Sequence, residues 1–458
     1  MAIKTTSKGI LNVLQADASG FEARFAKLVS RRDVETEDIE KSVRKIVERV
    51  RDGGDEELLA CIRKFDGNKL TTLEVTAEEW DEGCEATDPA DRAALGKAAM
   101  RVRDFHRKRI PSSWEVREEG GGIFGHRVRP LERAGVYVPG GKAFYPSSVI
   151  MNAVPASVVE VPEIVMATPA GADGTVRAEV LMAARVAGVH RIFKMGGAHA
   201  IAALAYGTET VPRVDKIVGP GNAYVATAKR LVFGQVAIDS EAGPTEVLIV
   251  ADKTATPAWV AADLISQAEH DEMASCLLFT NSKAVATRVQ DQLARQLKGF
   301  ERAKIAKAAL TKRGAIVIAK NIAECIELAN RYAPEHLMIA TDDADVVSKG
   351  VKNAGAIFLG HYTPVAVGDY IAGPNHVLPT GGTARFFSPL GVEDFLKRTS
   401  VTRFEPPKLR ELGGDVIRLA EMEGLVGHGQ SVDLRLQKIR RARREREAAR
   451  EAEAEIDI

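Results

Sequence analysis

Residues 134–233 read AGVYVPGGKAFYPSSVIMNAVPASVVEVPEIVMATPAGADGTVRAEVLMAARVAGVHRIFKMGGAHAIAALAYGTETVPRVDKIVGPGNAYVATAKRLVF. Four times in this stretch a β-rich run ends in a glycine loop and a helical run follows. Residues 134–138 lead through Pro139-Gly140-Gly141 to 147–159, and 164–167 through Pro169-Ala170-Gly171 to 176–187. Residues 191–194 lead through Gly196-Gly197 to 198–206, and 216–218 through Gly219-Pro220-Gly221-Asn222 to 223–233. Strands alternating with helices at this spacing predict βαβ units and therefore a parallel, doubly wound sheet. Each glycine loop then falls at the carboxyl end of its strand, where open α/β sheets take their ligands.

The same grammar continues downstream. Residues 247–251 read as a strand, Thr256-Pro257 as a helix start, 258–272 as a helix and 276–280 as a strand. After a charged helical hairpin come strand 315–319, helix 322–332, strand 337–341, a short helix and strand 356–359. Upstream, the first 110 residues are mainly helical, with charged amphipathic runs at 34–65 and 86–108. The chain ends in QKIRRARREREAAREAEAEIDI (437–458), almost wholly charged or Ala, which reads as a solvated helix or frayed tail. Only Leu436 and Ile439 could seat a coiled coil there.

Composition narrows the function. A chain of 458 residues is too long for one ordinary core, so two or more domains are expected. Its 63 basic and 63 acidic side chains cancel, which argues against nucleic acid as the main partner. Aromatic residues are only 5%, which leaves little for a base-stacking surface. No apolar run approaches the roughly 20 residues that span a bilayer, and the N-terminus lacks the apolar core of a signal peptide. Cys61, Cys84, Cys276 and Cys325 lie far apart and read as reduced core cysteines of a cytoplasmic protein.

Four places could carry chemistry. In Ser266-Gln267-Ala268-Glu269-His270-Asp271, Gln267 and His270 are three apart on an expected helix, so an amide oxygen and an imidazole could face one metal ion. The alternative is a surface helix with a hydrogen-bonded histidine. In Tyr332-Ala333-Pro334-Glu335-His336 the proline ends a helix and a strand follows, so Glu335 and His336 sit at a junction. A carboxylate beside an imidazole suits acid/base work near neutral pH; the alternative is a charged turn capping a strand. The stretch from Gly368-Asp369 through His376 to Arg385 is a long Gly/Pro/Thr loop of the kind that binds ligands. Glu423 and His428, flanked by glycines, lie near the end of the folded part.

From about residue 30 to residue 435 the chain resembles histidinol dehydrogenase. The resemblance is carried by VRDGGDEELL (50–59), ERAGVYVPGGKAFYPSSVIMNAVPA (132–156), GGAHAIAALAYGTETVPRVDKIVGPGNAYVATAKR (196–230) and AGPTEVLIVAD (242–252). It continues in SQAEHD (266–271), NRYAPEHL (330–337), VGDYIAGPNHVLPTGGTARFFSPLGVEDFLKR (367–398) and EGLVGHGQSVDLRL (423–436). The order and spacing of these segments are highly specific. The resemblance implies one zinc ion per subunit, held by Gln267, His270, Asp369 and His428. The last comes from the neighbouring subunit of a homodimer. It also implies substrate contacts from Thr245, His336, His376 and Glu423 together with the metal ligands, and NAD contacts from Tyr137, His199 and Asn222. Position 199 commonly carries Gln in the family, and no G-x-G-x-x-G follows any strand here.

The implied fold is two Rossmann-like doubly wound lobes with a helical N-terminal region and a small C-terminal domain exchanged in the dimer. An N-terminal arm (1–30) precedes a substrate and metal lobe (31–133 and 246–383). The NAD-binding lobe (134–245), the exchanged segment (384–436) and the charged tail (437–458) complete the division. The implied reaction is the four-electron oxidation of L-histidinol to L-histidine through the aldehyde. His336 is the candidate base for the alcohol proton and Glu335 the candidate activator of the hydrating water. Alternatives are a polyol or sulfonated-diol dehydrogenase on the same scaffold, a zinc hydrolase and an inactive dimeric binding protein. Glu423 and His376 favour histidinol, a glycine-loop lobe favours a dehydrogenase, and filled metal and acid/base positions disfavour an inactive protein.

Overall fold

Strands form where aliphatic runs are buried on both faces, as parallel sheets covered by helices require. The computed structural model describes residues 9–30, 37–140, 144–241 and 243–456. The start of the N-terminal arm, the start of the helical run expected from Val34, and Gly141 of the first glycine loop lie outside the described residues. In chain order the strands are β1 (Asn12–Gln15), β2 (Trp114–Glu118), β3 (Gly122–Pro130), β4 (Arg133–Tyr137), β5 (Glu163–Thr168), β6 (Arg191–Lys194) and β7 (Lys216–Val218). They continue as β8 (Ala237–Ile238), β9 (Glu246–Ala251), β10 (Ser275–Thr280), β11 (Ala315–Ile318), β12 (His336–Ala340), β13 (Ala356–Leu359) and β14 (Leu396–Phe404).

Two compact units result: Met1–Ile110 with Pro130–Phe395, and Pro111–Arg129 with Leu396–Ile458. The first holds two parallel sheets. One runs β6-β5-β4-β7-β8, with helices Pro146–Val158, Ala178–Ala187, Gly197–Tyr206 and Ala223–Val232 as crossovers. Its strand order reverses between β4 and β7, and the carboxyl ends of those strands are where such a sheet is expected to take a ligand. The other sheet runs β1-β11-β10-β9-β12-β13 and reverses in the same way between β9 and β12. The expected α/β rhythm and parallel pairing are both observed.

Two sequence-based expectations are corrected here. The N-terminal arm supplies an edge strand: β1 pairs with β11 from Asn12↔Ala315 to Gln15↔Ile318, and Phe21 and Phe25 pack into that sheet's core beside Phe279. The helical region, grouped above with residues 246–383, packs instead on the 134–245 lobe. Helix Gly197–Tyr206 is buried from Ala198 to Ala205 and needs apolar cover on its outer side. Val43, Ile46, Val47, Val50 and Leu58 of helix Glu37–Cys61 share its core, spaced three or four apart so that one stripe makes the contact. That helix is interrupted at Gly54 (φ +53) and continues into a π-helical turn, Ile62–Asp66.

The second unit is a three-stranded sheet, β14-β3-β2, followed by helices Pro406–Met422 and Val426–Ile456. The β2–β3 hairpin went unread in the sequence although Trp114-Glu115-Val116-Arg117 alternates apolar and charged residues; both faces of β2 are exposed, so the alternation marks no buried side. Leu436 is buried against Gly413, and past Ile439 residues 440–452 of the last helix are exposed, with Arg441–Glu445 and Arg443–Glu447 paired one turn apart. That is the solvated helix read from the tail's composition. Among the described residues no helix is long and apolar enough to cross a membrane.

Candidate active site

Polar residues gather at the amino ends of β9 and β12, which lie side by side with His336 opposite Val247. Helix Ile322–Tyr332 ends in a left-handed Ala333 (φ 52), and Pro334 turns the chain into β12. This delivers Glu335 and His336, both buried, next to Thr245 and Glu246 at the head of β9. The two glutamates hold each other's backbone. Glu246 N–H donates to Glu335 Oε2 at 2.7 Å, and Glu335 N–H donates to Glu246 Oε2 at 3.4 Å. Thr245 Oγ1 donates to Glu335 Oε2 at 2.7 Å and accepts from Gln267 Nε2. A continuous chain therefore runs from the Gln267 amide through the Thr245 hydroxyl to the Glu335 carboxylate.

His336 Nδ1 lies 2.9 Å from Glu246 O, to which it donates, so in the neutral ring the lone pair is on Nε2. That Nε2 is buried without a hydrogen-bond partner, 3.7 Å from Asp369 Oδ1. Burial alone would lower the His336 pKa, but the Glu335 and Asp369 carboxylates raise it to about 10. Burial likewise would raise Asp369, yet His336, His376 and His270 hold it below the usual carboxylate range. His376 donates Nδ1–H to Asp369 O at 2.9 Å, and burial lowers its own pKa against the pull of Asp369.

Two local expectations are refined. Helix Pro257–Ala268 stops before His270, which lies exposed in the following turn, its N–H reaching Gln267 O at 3.4 Å. Gln267 and His270 are still neighbours, because Glu269 keeps helical dihedrals as the cap. Asp369 belongs to a short helix, Val365–Tyr370, and only His376 to the long loop. That loop is tied to the site by Gly381 N–H on Glu246 Oε1 (2.9 Å) and Gly243 N–H on Thr380 Oγ1 (2.6 Å). Glu423 and His428 fall in the second unit, both exposed: Glu423 caps Pro406–Met422, and His428 is in the first turn of Val426–Ile456. Among the described residues no three His, Cys, Asp or Glu side chains form a metal cluster. The first unit contributes only two such groups from the implied ligand set, His270 and Asp369, plus an amide.

The other implied site lies at the carboxyl ends of β4 and β7. Tyr137 ends β4 buried, its hydroxyl accepting Gly197 N–H at 3.0 Å, and burial pushes its pKa up to about 12. His199 is buried in the first turn of Gly197–Tyr206, with Nε2 3.3 Å from Asp66 Oδ2 and its ring stacked on Phe65. Asn222 is exposed and caps Ala223–Val232, its Oδ1 accepting Tyr224 and Val225 N–H.

The chain matches the histidinol dehydrogenase family over residues 29–436. It is 51% identical over 429 residues to the histidinol dehydrogenase of Syntrophotalea carbinolica, covering 93% of this chain and 99% of that one. Against the histidinol dehydrogenase of Geobacter sulfurreducens it is 51% identical over 421 residues, covering 91% and 98%. The chain belongs to the histidinol dehydrogenase family. The crystal structure of histidinol dehydrogenase from Elizabethkingia anophelis superposes with a TM-score of 0.89 at 32% identity, covering 95% of this chain and all of that one. The family makes the chain an oxidoreductase, with the mixed α/β, parallel-sheet fold of histidinol dehydrogenase.

Two residues of the candidate sites escaped the sequence reading. Glu246 is buried at the head of a strand whose next five residues are all apolar, and that lone charge in PTEVLIVA was the available signal. Asp66, beside His199, comes from the N-terminal helical region, and no local pattern announces it.

Proposed function

We propose that the chain oxidises L-histidinol to L-histidine through L-histidinaldehyde, the last step of histidine biosynthesis. It would use NAD and one zinc ion per subunit, in a homodimer with shared sites. The observation that carries the reading is His336 Nε2: a buried imidazole nitrogen with no partner, beside an ionised Asp369 and next in sequence to a donor-fed Glu335. The donors fit zinc. Gln267 spends its amide nitrogen on Thr245, which leaves its oxygen to ligate; Asp369 is held ionised; His270 adds an imidazole. His428 of the partner subunit completes a set of oxygen and nitrogen ligands without thiolate. Bound there, the ion would act as a Lewis acid that orients the substrate's amino and imidazole groups.

The chain's own residues then divide the work. Asp369 committed as a ligand would pull less on His336, and in its neutral form Nε2 would take the alcohol proton while NAD, when bound, accepts the hydride. The Glu246 carbonyl fixes the tautomer that makes Nε2 the base. Glu335 receives Thr245 and Glu246 on one oxygen, which leaves the other to draw a proton from the water that hydrates the aldehyde. Thr245, His376 and Glu423 supply further substrate contacts, the last suited to the cationic amine. Tyr137, His199 and Asn222 bound the NAD crevice. A polyol or sulfonated diol would make less use of Glu423 and His376, so histidinol is preferred.

The test is the yield of NADH per mole of L-histidinol, with and without a chelator. Two NADH per histidinol, lost on chelation and restored by Zn²⁺, is the expected result. One NADH per substrate, or full activity in the metal-free protein, would overturn the reading.

A further inference from the structure

Two buried charges in the 134–245 lobe take no part in the chemistry above. The Lys229 side chain, in the second turn of helix Ala223–Val232, is 1% exposed, and that of Asp239, just past β8, is 6% exposed. Burying two charges is costly enough that such a pair is poor evidence of a stability role alone. Its hydrogen bonds show what it holds. Lys229 Nζ donates to Gly219 O at 2.9 Å and to Asp239 Oδ1, while Asp239 Oδ2 accepts Gly219 N–H at 2.9 Å. Both backbone polar groups of one glycine are thus gripped by the two halves of one ion pair.

Gly219 is where the chain leaves β7 for the Asn222 cap. Its φ is +119, and a Cβ there would lie 2.1 Å from Tyr137 O, so its backbone is pressed against the end of β4. The pair therefore fixes the loop between β7 and its helix against the strand that forms the other side of the crevice. A loop held in place before binding avoids the cost of ordering it when the ligand arrives. We infer that the Lys229–Asp239 pair is a positioning device for the dinucleotide, setting NAD affinity by preorganising the 219–222 loop. The inference rests on the NAD reading of this lobe.

The test replaces the pair with apolar groups, Lys229→Met with Asp239→Leu, an exchange that buried ion pairs often tolerate. The KM for NAD should rise about tenfold, while kcat and the KM for L-histidinol stay within about twofold. Equilibrium dialysis of NAD should show the same loss. Lys229→Met with Asp239→Asn keeps an acceptor for Gly219 N–H and should recover part of the affinity. A double variant with parental circular dichroism and melting temperature that keeps the parental KM for NAD overturns the inference. If the Leu variant does not fold, the Asn variant is judged by the same criterion. Failure of both to fold would make the pair a folding element and overturns the inference too. Tyr137→Phe separates the two readings. If it raises the KM for NAD and the pair variants do not, only the inference fails; if neither moves it, the NAD reading of the lobe fails.

Discussion

The two lobes of the first unit share a strand order and use opposite ends of it. In the β4–β8 lobe the polar residues collect at the carboxyl ends: Tyr137 closes β4, His199 opens the helix after β6 and Asn222 caps the helix after β7, where a doubly wound sheet offers backbone N–H groups. In the β9–β13 lobe they collect at the amino ends: Thr245 and Glu246 head β9, Glu335 and His336 head β12, and Gln267 closes a helix that has run back to that side. The first lobe cradles with loops and a helix cap. The second fixes its groups on strand ends, where reciprocal backbone bonds between two buried glutamates hold them rigid. Topology therefore points to the carboxyl-end crevice proposed for NAD, but it does not point to the amino-end cluster proposed for acid/base work.

If the amino-end cluster carries chemistry and the carboxyl-end crevice only binding, their variants should differ in kind. The largest effects are expected at the amino ends. Glu335→Gln should impair aldehyde oxidation, and His336→Asn alcohol oxidation, each by about 10²–10⁴-fold. Single-turnover NADH formation from L-histidinol and from L-histidinaldehyde separates the two. Equal slowing of both half-reactions by Glu335→Gln would break the assigned division of labour.

The lobes should also respond to pH with opposite signs. His106, on helix Pro89–Arg107, is buried with both ring nitrogens unpartnered, and burial lowers its pKa to about 4. The folded state refuses a proton that the unfolded chain accepts near 6.5. Its contribution is complete above that value and lost as pH falls towards 4, by about 3 kcal/mol. His336, raised to about 10 without metal, has the reverse sign: its contribution is present below 6.5 and lost as pH rises through 10. His106→Phe should flatten the acid limb of a urea-stability profile between pH 7 and 4 and leave the alkaline limb unchanged. An unaltered acid limb would show that His106 is not the sensor.

The smallest effect is expected at the crevice. Asn222→Ala removes a helix cap and a polar contact, so the KM for NAD should rise about tenfold with little change in kcat. A large fall in kcat instead would mean that the two ends of the molecule do not divide binding from chemistry as described.

Much of this was legible in the chain itself. Residues 191–194, 216–218 and 356–359 were read as strands with the bounds observed, because aliphatic runs closed by glycine loops are local signals. Glu335 and His336 were read at a helix-to-strand junction because Pro334 marks one locally. Tertiary structure decided the rest. Nothing near Asn12 announces a partner 303 positions later at Ala315, and nothing in 37–61 says which lobe its apolar stripe will cover. The bond from His336 to the Glu246 carbonyl joins residues 90 positions apart, and Asp369, which with the adjacent Glu335 raises its pKa, lies 33 positions further on. Propensity and periodicity act over about ten residues, so the sequence alone determines elements and residue types. Which strand ends meet, and what charge an imidazole carries there, depends on groups that only the folded chain brings together.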